Sequence, residues 1–345
     1  MAEEIAAALV TAAPDEWDAV AGHARTKARL QVLLREKRMP HAVLFSGPRG
    51  VGKWKLATAT AAALLCMSPK DGLACGGCES CRHMAAGTHP DFYAVTPEKS
   101  GKAARSIKIE QIRDLRAEAA RVPRLSARRV ILLDDVETMN DAAANALLKT
   151  LEEPAGNTSF LLVTGARQAL LPTILSRCMG LQFPPLGDDA MVRVLAVQGV
   201  PEDVRAPLVA LSEGSAGRAL QLFEEDALSF REDALSTLES LSRLSVEDVF
   251  ALGARLGTME RERLLEWLRY FRLFIRDLLA IYGGSAALLN SDLEARLFAL
   301  SGQFSEAWAF VVAREAAEAA RRIETSNATP RLAIESFLFR AGKKS

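Results

Sequence analysis

The chain reads as an α/β domain built on an open parallel sheet, followed by an all-helical remainder. Three observations predict this. Up to about residue 185, short apolar runs alternate with helical patterns. The first clear run leads into a glycine-rich loop of phosphate-binding type. After Pro184-Pro185 no β pattern returns. At 345 residues the chain is long for one core, so two or three domains are expected.

The elements follow in order. Ala42 to Ser46 is a short apolar run suited to a buried parallel strand, and the helical stretch from Lys55 to Cys66 comes after the glycine loop. Asp91 to Thr96, between Pro90 and Pro97, reads as a second strand. Ile109, Ile112, Leu115 and Ala119 have helical spacing within Ile109 to Arg121. Val130 to Leu133 is a strand that runs into Asp134-Asp135, and Asp141 to Glu152 is a helix stopped by Pro154. Phe160 to Thr164 is a further strand. Ala190 to Phe223 suggests a small helical unit with Gly214 to Gly217 between helices. From Ala227 the chain is helical. Leu264, Leu268, Phe271, Ile275, Leu278 and Tyr282 form one apolar stripe, and Ala307 to Arg322 is another helix.

Composition narrows the function classes. Lys+Arg and Asp+Glu are equal at 43 each, so no global basic field argues for autonomous tight binding to nucleic acid. The longest apolar run, Leu56 to Met67, is too short to span a bilayer, so no membrane association is expected. Glu3 and Glu4 replace the basic stretch of a secretory leader, and a cytoplasmic protein is the expectation.

Of the five cysteines, Cys66, Cys75, Cys78 and Cys81 stand in a C-x8-C-x2-C-x2-C pattern. A C-x2-C turn brings two thiolates to one ion, and four thiolates saturate tetrahedral Zn²⁺. The pattern therefore predicts a structural zinc module over 66–81, with His83 a bystander and no open position for catalysis. A redox C-x-x-C is the alternative, and it lacks the βαβ context that motif needs.

Gly47-Pro48-Arg49-Gly50-Val51-Gly52-Lys53 fits G-x-x-x-x-G-K, but Trp54 follows where Ser or Thr would ligate Mg²⁺. Backbone N–H groups and the helix start would hold phosphates, with Lys53 on the β/γ oxygens. Asp134 occupies the place of a metal-holding aspartate, and Asp135 that of a water-polarising Glu, one methylene shorter. The motif predicts a phosphate-loop fold with doubtful hydrolysis.

Further residues carry a resemblance. Asn140 to Pro154, NDAAANALLKTLEEP, is very similar to the signature helix of bacterial clamp-loader AAA+ subunits, and Ser176-Arg177-Cys178 matches their S-R-C motif. The cysteine module lies between the glycine-loop helix and the next strand, as it does in them. His41-Ala42, Gly87 to Asp91 and Asn327 to Phe339 resemble the delta-prime branch of that family, which serves DNA polymerase III. The resemblance runs over nearly the whole chain, strongest from Pro40 to Pro185.

This resemblance implies a RecA-like AAA+ domain over 1–184 carrying the zinc module, a helical lid over 185–226 and an all-α collar over 227–345. It implies that Arg177 is an arginine finger reaching a neighbour's γ-phosphate. Thr164 falls at the strand-end sensor position, and Arg218 aligns with the lid sensor arginine. Val20 to His23 resembles the loop near the adenine. Cys178 is expected to be a small buried core residue. The degenerate nucleotide site would comprise Gly47, Gly50, Gly52, Lys53, Asp134, Asp135, Thr164 and Arg218, with ATP or ADP binding left open.

The implied partners are the other subunits of a hetero-pentameric ring, with the sliding clamp and primer–template DNA met through the complex. The expected role is a subunit without independent catalysis that helps load the clamp. The alternative is an active AAA+ ATPase motor subunit, which Trp54 argues against. A zinc-dependent enzyme and a stand-alone DNA-binding module are weaker readings.

Overall fold

The computed structural model describes residues 16–98, 105–152, 156–285, 287–325 and 329–342. Glu3, Glu4, Glu153, Pro154 and Asn327, which entered the expectations above, lie outside the described residues. Two compact units emerge. The first takes in the described residues up to Val194 together with Gly214–Arg218, and the second Leu195–Glu213 with the residues from Ala219 onward.

The first unit is built on a parallel five-stranded sheet in the order β2-β3-β4-β1-β5. Its strands are β1 (Ala42–Ser46), β2 (Phe92–Val95), β3 (Arg129–Leu133), β4 (Thr158–Thr164) and β5 (Met179–Gln182). Ala42 pairs with Phe160 and Ser46 with Thr164 in the central β1–β4 ladder. The strands are apolar throughout because both faces are covered, yet their residues still alternate between two cores. Val43, Phe45, Val130, Leu132, Leu161 and Val163 face one core. Leu44, Ile131, Leu133, Phe160 and Leu162 face the other.

On the first face lie α1 (Glu16–Ala19), α2 (Ala24–Arg35) and α3 (Lys53–Leu65). The alanines of α3 let it pack close to the sheet; Ala57, Ala61, Ala62 and Ala63 are all buried. On the second face lie α5 (Ile109–Ala119), α6 (Asp141–Glu152) and α7 (Pro172–Leu175). Between α3 and β2 the cysteine segment forms its own helix, α4 (Glu79–Ala85). The expected parallel α/β core is present, with β5, α1, α2, α4 and α7 added to the elements the sequence had suggested.

From Asp188 onward the regular elements among the described residues are all helices. The helices are α8 (Asp188–Val197), α9 (Glu202–Ser212), α10 (Ala216–Glu224), α11 (Ala227–Ser240), α12 (Val246–Gly257), α13 (Arg261–Tyr282), α14 (Glu294–Ser301), α15 (Glu306–Thr325) and α16 (Pro330–Ala341). The stripe on α13 is the centre of the second unit: Leu264, Trp267, Leu268, Phe271, Ile275 and Leu278 are fully buried. Buried charge there is partnered. Arg231 donates to Asn290 Oδ1 and Asp292, while Asp277 accepts from the backbone N–H groups of Leu289 and Asn290.

Candidate phosphate-loop site and four-cysteine centre

The glycine loop leaves β1 and turns into α3 at Lys53, with Gly52 as N-cap. The Gly47 N–H donates to Thr164 O at 3.3 Å, tying the loop to the end of β4. A Cβ on Gly47 would lie 2.1 Å from Phe183 O, and one on Gly50, at φ +73°, 2.3 Å from Ser215 Oγ. Both positions need glycine because another part of the chain passes against them. The Ser215 hydroxyl donates to Arg49 O at 2.8 Å, and the Gly217 N–H to Gly50 O at 2.9 Å. These bonds seat the first turn of α10, and with it Arg218, beside the loop.

Lys53 is buried at 5% exposure. Its Nζ donates to Gly47 O at 2.7 Å and Pro48 O at 2.5 Å, so two of three ammonium protons are spent on the loop itself. Burial pushes its pKa down, against the pull of Asp134, Asp135 and Glu137. Trp54 is half-buried and packs against the core on the α3 side of the sheet. The position after Lys53 therefore presents indole and offers no oxygen to a metal ion.

Asp134 follows β3 directly. Burial, reinforced by the charge of Asp135, raises its carboxyl to about 6, although the Asp135 N–H donates to its Oδ1 at 2.9 Å. Asp135 has left-handed backbone angles, φ 42° and ψ 47°. Its carboxylate meets Arg49 Nη2 at 3.1 Å, and the same nitrogen lies 3.6 Å from Glu137. Glu137 in turn accepts from Thr164 Oγ1 at 2.9 Å and from the Gly165 N–H at 3.0 Å. The Thr164 hydroxyl also accepts from the Ala166 N–H at 3.1 Å, so this fully buried side chain both donates and accepts within the cluster.

Glycine loop, Asp134-Asp135, Thr164 and the Arg218 turn thus meet at the carboxyl ends of β1, β3 and β4, where open parallel sheets hold ligands. Sequence reasoning did not single out Arg49 or Glu137, which cross-link this cluster. The only signal for Glu137 is its place two residues beyond Asp135. His23 donates from Nε2 to Val51 O at 2.8 Å and packs edge-on to Phe183. It is thus a brace for the loop.

Arg177 belongs to a different place. It follows α7, and its guanidinium pairs with Glu152 at the end of α6, with Nη1 donating to Thr173 O at 2.9 Å. Its side chain is 33% exposed and none of the glycine-loop residues is among its partners. Cys178, expected to be buried, is half-buried, because it packs at the margin of the second core; burial raises its thiol to about 11.

The remaining four cysteines converge. Their Sγ atoms all lie within 4.8 Å of one another. Three separations are 3.9 Å (Cys66–Cys78), 4.0 Å (Cys75–Cys81) and 3.7 Å (Cys66–Cys81). The edge of a tetrahedron with Zn–S bonds of about 2.3 Å is about 3.8 Å, so the four sulfurs fit one such ion. N–H donors support the sulfurs: Cys75 N–H points to Cys66 Sγ at 3.3 Å and Cys81 N–H to Cys78 Sγ at 3.4 Å. Backbone N–H groups of Gly77 and Cys78 pull the Cys75 thiol down to about 6, whereas burial pushes the Cys66 and Cys81 thiols up. His83 points elsewhere, to Thr88 Oγ1.

Comparison with known proteins follows the same lines. A family model described as DNA polymerase III, delta subunit, matches residues 22–187. The DNA polymerase III subunit delta' of Pseudomonas aeruginosa is 40% identical over 213 residues, 61% of this chain and 63% of that protein. The subunit delta' of Escherichia coli is 34% identical over 266 residues, 77% of each chain. The subunit tau of Escherichia coli is 34% identical over 254 residues, 73% of this chain and 37% of tau. The match to the Pseudomonas protein spans less than two thirds of its length; the Escherichia delta' match spans more than three quarters. On that coverage and identity, the chain belongs to the DNA polymerase III delta-prime subunit family.

Proposed function

We propose that the chain is a clamp-loader subunit that does not hydrolyse ATP itself and that acts on the ATP site of a neighbouring subunit. The observation that carries this reading is the make-up of its own loop. Trp54 stands where a hydroxyl should hold Mg²⁺, and the Arg49 guanidinium lies against Asp135 and Glu137. A magnesium ion there would lack one ligand and would have to displace the Arg49 guanidinium from Asp135, so the fit to Mg²⁺-nucleotide is poor. Magnesium-free nucleotide binding at Lys53 would cost the two bonds its ammonium makes to the loop.

Arg177 supplies the complementary half. Its pair with Glu152 is a surface contact of the kind worth about 0–1 kcal/mol, cheaply exchanged for a phosphate. Presented to a neighbour's γ-phosphate, the guanidinium would stabilise the transition-state charge. The AAA+ part would span 1–184, the lid 185–226 and the collar 227–345, the last joining the hetero-pentameric ring. Sliding clamp and primer–template DNA would be met through that complex, in the cytoplasm. The four cysteines would hold structural Zn²⁺, closed to substrate because all four positions are thiolates.

A motor subunit is the competing reading, since tau is also similar. ATP turnover by the purified chain separates the two. The account expects background rates with and without primed DNA; steady hydrolysis dependent on Lys53 would overturn it.

A further inference from the structure

We propose that a cleft at the base of the cysteine module captures the free carboxyl terminus of a partner protein whose last residue is apolar. The cleft has a volume of about 430 Å³ and is bounded by the end of α2, the last turn of α3 and the residues that lead into β1 and β3. It therefore lies at the amino end of the parallel sheet, opposite the glycine loop, and none of the loop residues lines it. Cys66 is part of its wall, but the Cys66 Sγ is engaged with other thiols of the cluster.

Three kinds of group meet there. The walls are apolar, formed by Leu34, Met39, Leu64, Met67 and Leu125, and Met67 is an exposed, adaptable side chain. The charged side chains are Lys37 and Arg128, and no Asp or Glu lines the cleft. Among the described residues neither cation has a carboxylate partner; Arg128 Nη1 donates to Ser159 Oγ at 3.3 Å. Burial pushes the Arg128 pKa down with no acid to offset it. Lys37 has φ 56° just beyond α2, a left-handed position where glycine is the usual choice.

The third kind is backbone. Ala63, Leu64 and Leu65 close α3, and the carbonyls of a last helical turn have no N–H partner within the helix. Leu65 O receives the hydroxyls of Ser80 at 2.8 Å and Ser126 at 2.7 Å. Among the described residues no hydrogen bond reaches Ala63 O or Leu64 O. A peptide carboxyl terminus complements each feature: its carboxylate suits the two cations, its last side chain the walls, and its amide N–H groups the free carbonyls. A fatty acid would leave those carbonyls unpaired, and a nucleotide would bring more negative charge than two cations meet. The volume falls within the roughly 300–1,000 Å³ of ligand pockets, room for about two residues of a chain end.

The test is fluorescence anisotropy of the full chain with a labelled Gly-Ser-Gly-Ser-Leu-Phe peptide that ends in a free carboxylate. The same peptide ending in an amide, and one with serine as its last residue, should each bind at least about tenfold more weakly. Lys37→Gln removes one cation and Ala127→Glu adds an acid to the cleft. Both positions are exposed, so the fold is kept, and each variant should weaken the free-acid peptide at least about tenfold. Arg113→Gln, an exposed site elsewhere, should leave binding unchanged. Absence of wild-type binding at millimolar peptide, equal binding of the amide, or equal losses in Arg113→Gln overturns the proposal. Displacement of the peptide by decanoate at an equal or lower concentration would mark a site for free amphiphiles, and that also overturns it.

Discussion

Asp134 carries a largely buried carboxyl at the loop. Its carboxyl ordinarily titrates near 3.8 and is held at about 6, first by burial and then by Asp135. A carboxyl with a raised folded pKa keeps its proton more firmly when folded. The fold is therefore unaffected below about pH 4, and it is progressively destabilised as pH rises to about 6, by on the order of 3 kcal/mol. Asp134→Asn should accordingly raise stability at pH 7.5 by about 2–3 kcal/mol and change little at pH 4, read by urea unfolding at both pH values. A loss of stability at neutral pH would mean that the charge is compensated. Asp91 behaves with the opposite sign. Burial opposes its charge, but the N–H groups of Ser126, Arg124 and Leu125 outweigh it and lower its pKa, so its contribution is present above about pH 4 and fades in acid. Gly50→Ala should cost about 1–3 kcal/mol, because a methyl would meet Ser215 and Gly217 at a positive φ; unaltered thermal unfolding would refute that contact.

At the level of elements, the cysteine module is a staple between α3 and β2. It has its own short helix, α4, anchored where Ser80 donates to Leu65 O at 2.8 Å and contacts His89. On the proposal that the four thiolates hold zinc, chelation should release backbone protection over 66–85 in hydrogen exchange while β1, β3 and β4 stay protected. Simultaneous loss across the sheet would show that the module holds the whole core. The strands flanking the loop were readable in the sequence because burial on both faces leaves continuous apolar runs, as in Val130 to Leu133. β5 was not, because Met179-Gly180-Leu181-Gln182 is short, carries a glycine and sits on the edge. The stretch 66–81 was legible only as four thiols at metal-ligand spacing, and the seven-residue helix α4 that begins within it gave no separate helical signal. Among the site residues, the glycines, Lys53 and Asp134 announced themselves by motif. Arg49 and Glu137 did not, since their roles arise from contacts across elements that no local pattern encodes.

Over the whole molecule, two sets of residues are kept apart: a phosphate loop cross-linked to its own acids, and a half-buried guanidinium just after α7. The proposal is that the first is scaffold and the second is the working part, used only in assembly. Replacing Arg177 tests this most directly. Arg177→Ala should leave the fold and the subunit stoichiometry of the reconstituted clamp loader unchanged. DNA-stimulated ATP hydrolysis at the adjoining site should fall by about 10³-fold or more. Turnover equal to that of the wild-type complex would contradict the account.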